Sequence, residues 1–288
     1  MHKLSGFLYG IISSGSFGMI PLFALPILQS GMDFMSVIFY RFMLASFFLA
    51  LTLLIKKQSF RISRKDFFPL LILAVFYIVS SVFLLWGYEF MASGIATTIH
   101  FMYPVITTLI MMFFFHEKKS AARIIAVLMA IAGVYFLSNT GDGGKGLSLI
   151  GVIVVLVSSI GYALYLVALG QLKSLEVKGI KLTFYVFFFS TIILAIGMLG
   201  TGSVQPVGGV GVFINLSLLA LIPTVVSNLT LVEAIKRIGS TLTSVLGAME
   251  PVTAVLLGIV VFSEAFTFSI GLGIFLIITA VSIIIIKR

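Results

Sequence analysis

Two stretches decide the fold: Tyr88-Glu-Phe-Met-Ala-Ser-Gly-Ile-Ala-Thr-Thr-Ile-His-Phe-Met-Tyr-Pro104 and Ile235-Lys-Arg-Ile-Gly-Ser-Thr-Leu-Thr-Ser-Val-Leu-Gly-Ala-Met-Glu-Pro251. An offset of 147 residues superposes Met102-Tyr103-Pro104 on Met249-Glu250-Pro251, and Phe115-His116-Glu117 on Phe262-Ser263-Glu264. Because this offset is close to half of the 288 residues, we predict two related halves, residues 1–143 and 144–288.

The composition is typical of a chain that is embedded in a lipid bilayer. Hydrophobic residues make up 60% of the sequence, charged residues 9%, and the mean hydropathy is +1.26, whereas a soluble domain carries roughly 25% charged residues. A membrane-spanning helix needs about 17–25 apolar residues. Ten runs approach or meet that length: Leu4–Pro26, Phe34–Ile55, Phe67–Tyr88, Gly94–Phe115, Arg123–Ser138, Leu147–Gly170, Ile180–Leu199, Val212–Ile235, Thr241–Phe262 and Phe268–Ile286. We therefore predict an all-α integral membrane protein with ten transmembrane helices.

The basic residues predict how the spans are oriented. With the N-terminus in the cytoplasm, all of the 18 Lys and Arg residues except Arg41 and Lys145 fall on the cytoplasmic side, as the positive-inside rule requires. The net charge of +9 therefore reflects orientation in a membrane and gives no support to nucleic-acid binding. Because five spans per half is an odd number, the second half must insert upside down, as in many secondary transporters. We expect a multi-pass protein of the bacterial inner membrane with both termini cytoplasmic.

Several short motifs recur in the two halves. The first half contains Pro104, Glu117 and Ala132-Gly133-Val134, the second contains Ile238-Gly239, Glu250-Pro251, Glu264 and Ala280-Val281, and Arg41-Phe42 lies in the second span. In these motifs the chain resembles the EamA family of the drug/metabolite transporter superfamily. It departs from the family pattern at His116 and Ser263, which replace glycine, and at Phe17-Gly18, which replaces Trp-Gly. The resemblance implies ten helices around a central cavity and export of amino acids or other small metabolites.

Three ionisable residues within the predicted spans are candidate functional groups, because a charge in the hydrocarbon costs about 2.5–3.5 kcal/mol or more unless it is compensated. Arg41 could anchor an anionic group of a substrate, or it could form a structural ion pair with Glu89. Glu250 could bind a proton or another cation, or it could hydrogen-bond neighbouring helices. His100 could relay protons, or it could be a packed and hydrogen-bonded side chain.

Helical spacing predicts a shared face around these residues. His100, Tyr103, Thr107 and Met111 lie on one side of the fourth span, and Gly247, Glu250, Ala254 and Gly258 occupy the equivalent positions of the ninth. Such faces suit a pathway wall, but they also suit close helix packing. Trp86, Tyr162 and Asn228 are further candidates for lining the pathway. Pro104 and Pro251 interrupt the backbone hydrogen bonds of their helices and could act as hinges.

The same residues leave little support for an enzyme. His116-Glu117-Lys118-Lys119-Ser120 begins like a zinc-protease motif but has Ser120 in place of the second histidine, and the sequence has no cysteine. Neither a Gly-x-Ser-x-Gly elbow within a span nor a phosphate-binding loop occurs, so we expect no catalytic residues, no metal and no cofactor. The predicted function is secondary transport of a small molecule through the lipid bilayer by alternating access, with proton coupling through Glu250 or His100. A passive channel is the alternative.

Overall fold

The structure is a computed structural model that describes residues 2–91, 93–116, 121–138, 149–172, 177, 179–201, 204–262 and 268–286. Regular secondary structure within these ranges is entirely helical. The helices are α1 (His2–Phe17), α2 (Ile20–Gln29), α3 (Phe34–Ile55), α4 (Arg64–Phe90), α5 (Ser93–His100), α6 (Tyr103–Phe114), α7 (Ala121–Ser138), α8 (Leu149–Gln171), α9 (Gly179–Thr201), α10 (Val210–Ala220), a π-helical segment (Leu221–Val226), α11 (Ser227–Leu246), α12 (Met249–Phe262) and α13 (Phe268–Ile286).

The described helices are those of a multi-pass membrane protein. Six helical stretches are long and apolar enough to cross a bilayer: Lys3–Gln29, Phe34–Ile55, Arg64–Phe90, Leu149–Gln171, Gly179–Leu199 and Val210–Leu246. Shorter apolar helices occur at Tyr103–Phe114, Ile124–Gly133 and Gly271–Ala280. The predicted fourth and ninth runs are each divided into two helices, which explains why neither forms one long apolar helix.

Helix boundaries repeat at the offset found in the sequence. Helix α5 ends at residue 100 and α11 at residue 246, and α6 begins at residue 103 and α12 at residue 249, so each pair lies within one residue of the offset. Helix α5 begins at Ser93, and its equivalent Ser240 follows an abrupt change of direction inside α11. The two halves therefore share one order of elements.

The backbone turns sharply at places in the two halves that lie within one residue of the offset. Met91, after α4, is extended with φ −155° and ψ 167°, whereas Gly239, within α11, has φ 82° and ψ 166°. Positive φ of this kind is readily adopted only by glycine. Second interruptions occur at residues 101–102 and 247–248, each shortly before a proline, Pro104 or Pro251. Proline has no N–H to donate to the preceding turn, which accounts for these second interruptions.

Helices of one half pack against helices of the other half. Helix α1 packs on α11, and its counterpart α8 packs on α4 and α5, while α7 packs on its own counterpart α13. Helices α3 and α9 are also counterparts, and they run antiparallel. Asp33 N and Tyr40 OH, near the start of α3, donate to Gln205 Oε1 and O after the end of α9, at 2.8 and 2.9 Å. At the other end, Tyr185 OH of α9 donates to the Phe60 carbonyl after α3.

Candidate functional site

The arginine of the second predicted span lies in the interior of the protein. Arg41 is 1% exposed, and its Nε donates to Thr224 Oγ1 at 2.6 Å. The Nη2 atom is buried and has no hydrogen-bond partner among the described residues. The guanidinium carbon lies 5.9 Å from the centroids of the Phe17 and Phe42 rings. Glu89, the alternative partner considered from the sequence, is exposed, so Arg41 is held by a hydroxyl and two aromatic faces.

The π-helical segment explains why Thr224 reaches Arg41. Thr224 is fully buried, and its Oγ1 donates to the Leu219 carbonyl five residues earlier at 2.7 Å. A π-helical turn shifts the register of the side chains that follow, and such turns are frequent at functional sites.

A carboxylate lies where the two halves meet. Glu250 is 2% exposed, and its Oε1 accepts a hydrogen bond of 2.8 Å from Tyr103 OH. Its Oε2 is buried without a hydrogen-bond partner among the residues that the structure describes. Tyr103 and Glu250 are separated by 147 residues, which is the repeat offset. The hydrogen bond therefore joins one position of the repeat to its own counterpart.

Two glycines allow this close approach. A Cβ atom on Gly247 would overlap the Tyr103 hydroxyl and lie 2.7 Å from Tyr103 Cζ. A Cβ on Gly18, in the turn between α1 and α2, would overlap the Glu250 carbonyl oxygen and lie 3.0 Å from Glu250 Cα. Any side chain at either position would displace the pair.

His100 occupies a fully buried position with a defined tautomer. Its Nδ1 lies 2.9 Å from Ser158 Oγ, and that hydroxyl donates to the Ser80 carbonyl at 2.6 Å. Because a serine hydroxyl has one proton to donate, His100 Nδ1 must carry the hydrogen and donate to Ser158. In the neutral ring Nε2 is then the acceptor, and it is buried without a hydrogen-bond partner among the described residues.

Aromatic rings connect the arginine to the carboxylate. Phe17 stacks on Tyr162 at 5.4 Å between centroids, and Tyr162 meets Tyr103 edge to face at 4.6 Å. Tyr162 also stacks on Tyr165 at 6.1 Å, and Tyr165 meets Tyr77 at 5.0 Å. No ion pair joins Arg41 to Glu250 in the described part of the chain, and the aromatic rings lie between them. We call Phe17, Arg41, Tyr77, His100, Tyr103, Tyr162, Tyr165, Thr224, Asn228 and Glu250 the central cluster.

Asn228 forms hydrogen bonds with two tyrosines of the central cluster. Its Nδ2 donates to Tyr77 OH at 2.8 Å and to the Thr224 carbonyl at 3.0 Å, and its Oδ1 accepts from Tyr165 OH at 3.2 Å. One amide thus orients two phenols contributed by α4 and α8. A buried amide with all of these partners is a rigid element of the site.

The other residues suggested by the sequence lie at or outside the edge of the central cluster. Thr107 is fully buried one turn beyond Tyr103, with Oγ1 unpartnered among the described residues. Pro104 and Pro251 directly follow Tyr103 and Glu250. Trp86 lies apart, where its ring packs against Phe34, Phe83 and Phe90.

The sequence reasoning missed several members of the cluster. The sequence marks Phe17 only as a departure from a family pattern and gives no signal for Tyr77 or Thr224, nor for Ser158, the hydrogen-bond partner of His100. The Phe17-Gly18 pair was a usable signal, because a conformationally permissive residue beside an aromatic ring within a span suggests close packing. Glu117 and Glu264, which end the repeated motifs, lie outside the described residues. Within the described ranges, no three His, Cys, Asp or Glu side chains are grouped so as to hold a metal ion.

The fold and this cluster define a class: a multi-pass helical membrane protein of two repeated units that meet at buried polar groups. The chain belongs to the EamA-like transporter family, whose profile matches residues 4–139 and 149–286, and the family predicted from the sequence is thereby confirmed. Among solved structures, a crystal structure described only as that of a protein superposes with a TM-score of 0.82, covering 98% of this chain and 96% of the other at 17% identity. At that identity the likeness concerns the fold. A search of curated proteins gives no match.

Proposed function

We propose that the protein is a secondary transporter that exports an amino acid or a related small metabolite across the cytoplasmic membrane by alternating access. The observation that carries this proposal is the set of buried, unpartnered polar atoms in the central cluster: Arg41 Nη2, His100 Nε2 and Glu250 Oε2. Burying a polar group without a partner costs about 1–3 kcal/mol, and burying a charge costs more. A substrate that supplied the missing partners would offset this cost.

The chemistry of these atoms fits a substrate with groups of both signs. A guanidinium N–H pairs well with a carboxylate, so Arg41 would hold the carboxylate of the substrate. Glu250 Oε2 would accept a hydrogen bond from an ammonium group or would hold a proton. His100 Nε2 would accept a further donor, and the aromatic rings would enclose the apolar part. The nearly complete burial of Arg41 and Glu250 corresponds to an occluded state.

The repeat supports alternating access. In this proposal each half contributes five spans, with α5 and α6 forming the fourth, the end of α11 and α12 forming the ninth, and the halves inverted relative to each other. The antiparallel packing of the counterpart helices α3 and α9 supports inversion, because helices related by a twofold axis in the membrane plane run in opposite directions. Two inverted halves have two nearly equivalent arrangements, one open to each side.

Further assignments follow from the same picture. Both termini lie in the cytoplasm, as the distribution of basic residues suggests. Pro104 and Pro251 serve as the hinges, because they follow the helix interruptions on either side of the Tyr103–Glu250 bond. We assign the protein no catalytic reaction, since the family is one of transporters.

The test is counterflow in proteoliposomes loaded with single amino acids and related metabolites, with and without an imposed pH gradient. Saturable uptake that is stimulated by substrate on the opposite side supports a carrier. Flux that rises linearly with concentration and ignores the opposite side would indicate a channel and refute the proposal.

Matched variants test whether Arg41 and Glu250 take part in transport. We expect Arg41→Lys to weaken substrate affinity, because an ammonium ion cannot reproduce the Nη2 hydrogen bond. Glu250→Gln should abolish the response to the pH gradient while keeping a group of the same size. Glu89→Gln makes the same chemical change at an exposed glutamate of α4 and should leave flux unchanged. Equal behaviour of the two glutamate variants would exclude Glu250 from coupling.

A further inference from the structure

We propose that the protein carries a second binding site, for the headgroup of an anionic phospholipid, remote from the central cluster. The site is a cavity of about 330 Å³ between the α3–α4 connection and the start of α9. Its polar lining consists of Gln58, Arg61, Ser63, Asp66 and Lys181. Small-molecule sites occupy about 300–1,000 Å³, so the cavity is large enough for a headgroup.

Contacts between the two halves build the walls of this cavity. Lys181 Nζ donates to the Arg61 carbonyl, and Tyr185 OH donates to the Phe60 carbonyl. The Phe60 ring also packs edge to face on Phe184, with centroids 5.4 Å apart. The α3–α4 connection is therefore fixed to α9, and the cavity is part of the folded structure.

The charge around the cavity favours an anion. Arg61 and Lys181 contribute two positive charges to the lining, against one negative charge from Asp66, which is 2% exposed. Arg64 and Lys65 follow at the exposed start of α4. Ser63 caps this 27-residue helix by accepting a hydrogen bond from Lys65 N at 3.3 Å. The positive end of the helix dipole adds to the attraction, and the buried Asp66 offsets part of it.

The position favours a phospholipid over a soluble anion. Directly after the cavity residues, Phe67 and Phe68 are 40% and 68% exposed, at the start of a helix apolar enough to span the bilayer. Basic groups followed by exposed apolar rings match the boundary between headgroups and acyl chains. Basic pockets between helices at this depth are suited to anionic headgroups. The phosphate would lie against Arg61 and Lys181, and an acyl chain would lie along Phe68.

The experiment titrates the purified 288-residue protein with phosphatidylglycerol, phosphatidylcholine or inorganic phosphate and measures binding by native mass spectrometry. We expect phosphatidylglycerol to bind in preference to phosphatidylcholine. Removing a basic residue near the surface should weaken binding about fivefold, so the double variant Arg61→Gln/Lys181→Gln should weaken it about 30-fold. Inorganic phosphate at equal concentration should not compete.

Control variants separate this site from general surface charge. Lys56→Gln/Lys57→Gln removes the same charge from the same connection, at exposed residues outside the lining, and should weaken binding much less than Arg61→Gln/Lys181→Gln does, because neither lysine would contact the phosphate. Because Lys181 also holds the Arg61 carbonyl, the single variant Arg61→Gln tests the charge alone, and Arg61→Lys should retain binding. Equal weakening by the two double variants, or effective competition by inorganic phosphate, would overturn the proposal.

Discussion

Replacing Gly247 with alanine tests whether the Tyr103–Glu250 hydrogen bond organises the meeting point of the two halves. The added Cβ would overlap the Tyr103 hydroxyl and approach Tyr103 Cζ to 2.7 Å. Tyr103 cannot move freely, because Tyr162 lies 4.6 Å and His100 5.4 Å from its ring centroid. The hydroxyl must therefore leave Glu250 Oε1, to which it donates at 2.8 Å.

The cost has two parts. A hydrogen bond to a charged group contributes about 1.5–3 kcal/mol, and overpacking a filled interior costs typically about 1–3 kcal/mol. Gly247→Ala should therefore lower the free energy of unfolding by about 3–5 kcal/mol, the sum of mid-range values of the two parts. Tyr103→Phe should lower it by about 1.5–3 kcal/mol, because only the hydrogen bond is lost.

The double variant separates these parts. In the Tyr103→Phe background the hydroxyl is gone, so Gly247→Ala should cost about 1.5–3 kcal/mol less than it does in the wild type, because the hydrogen-bond part is already lost. The assay is equilibrium unfolding of the purified protein by denaturing detergent in mixed micelles. Gly197→Ala is the matched control, because a Cβ at Gly197 meets no atom within 4 Å. Strictly additive costs for Gly247→Ala and Tyr103→Phe would refute the proposed contact.

Three further substitutions test other features of the fold and the cluster. Asn228→Ala should lower the free energy of unfolding by about 1–3 kcal/mol, because two buried tyrosine hydroxyls lose their amide partner; an unchanged unfolding midpoint would contradict this network. Gly239→Ala should cost about 1–3 kcal/mol, since φ 82° and ψ 166° form a conformation that is essentially restricted to glycine, and a cost equal to that of Gly197→Ala would argue against this turn. Gly18→Ala should slow counterflow more than Gly197→Ala does, because the methyl group meets the Glu250 backbone; equal rates would contradict that contact.

Much of the architecture is readable from the sequence, because it depends on local composition and on a long-range repeat. Apolar runs predict membrane helices, since no soluble core could bury so many apolar residues. The predicted span Phe34–Ile55 coincides with α3. The offset of 147 residues recurs in the Tyr103–Glu250 contact, and the family expected from Arg41-Phe42 and the repeated prolines is the one that matches. The sequence also directed attention to Glu250 and Tyr103 separately.

The sequence did not predict which residues far apart in the chain contact each other. Arg41 and Thr224 are 183 residues apart, and the threonine lies in a π-helical segment that the sequence did not indicate. Helical spacing placed Tyr103 on a face with His100, but it did not show that Tyr103 bonds its own counterpart. The same holds for Trp86, because the sequence does not show that its ring packs against Phe34 and Phe83.

The central claim is that the central cluster is exposed alternately to the two sides of the membrane, and cysteine accessibility tests it most directly. The sequence contains no cysteine, so Ser158→Cys introduces one thiol beside His100 with little change in size. Its reaction with a membrane-impermeant maleimide would be followed in right-side-out and inside-out vesicles, with and without transported substrate. The account predicts that the thiol reacts from each side. A substrate gradient that raises the reaction rate from one side should lower the rate from the other side. Reaction from neither side, or rates that rise together from both, would contradict it.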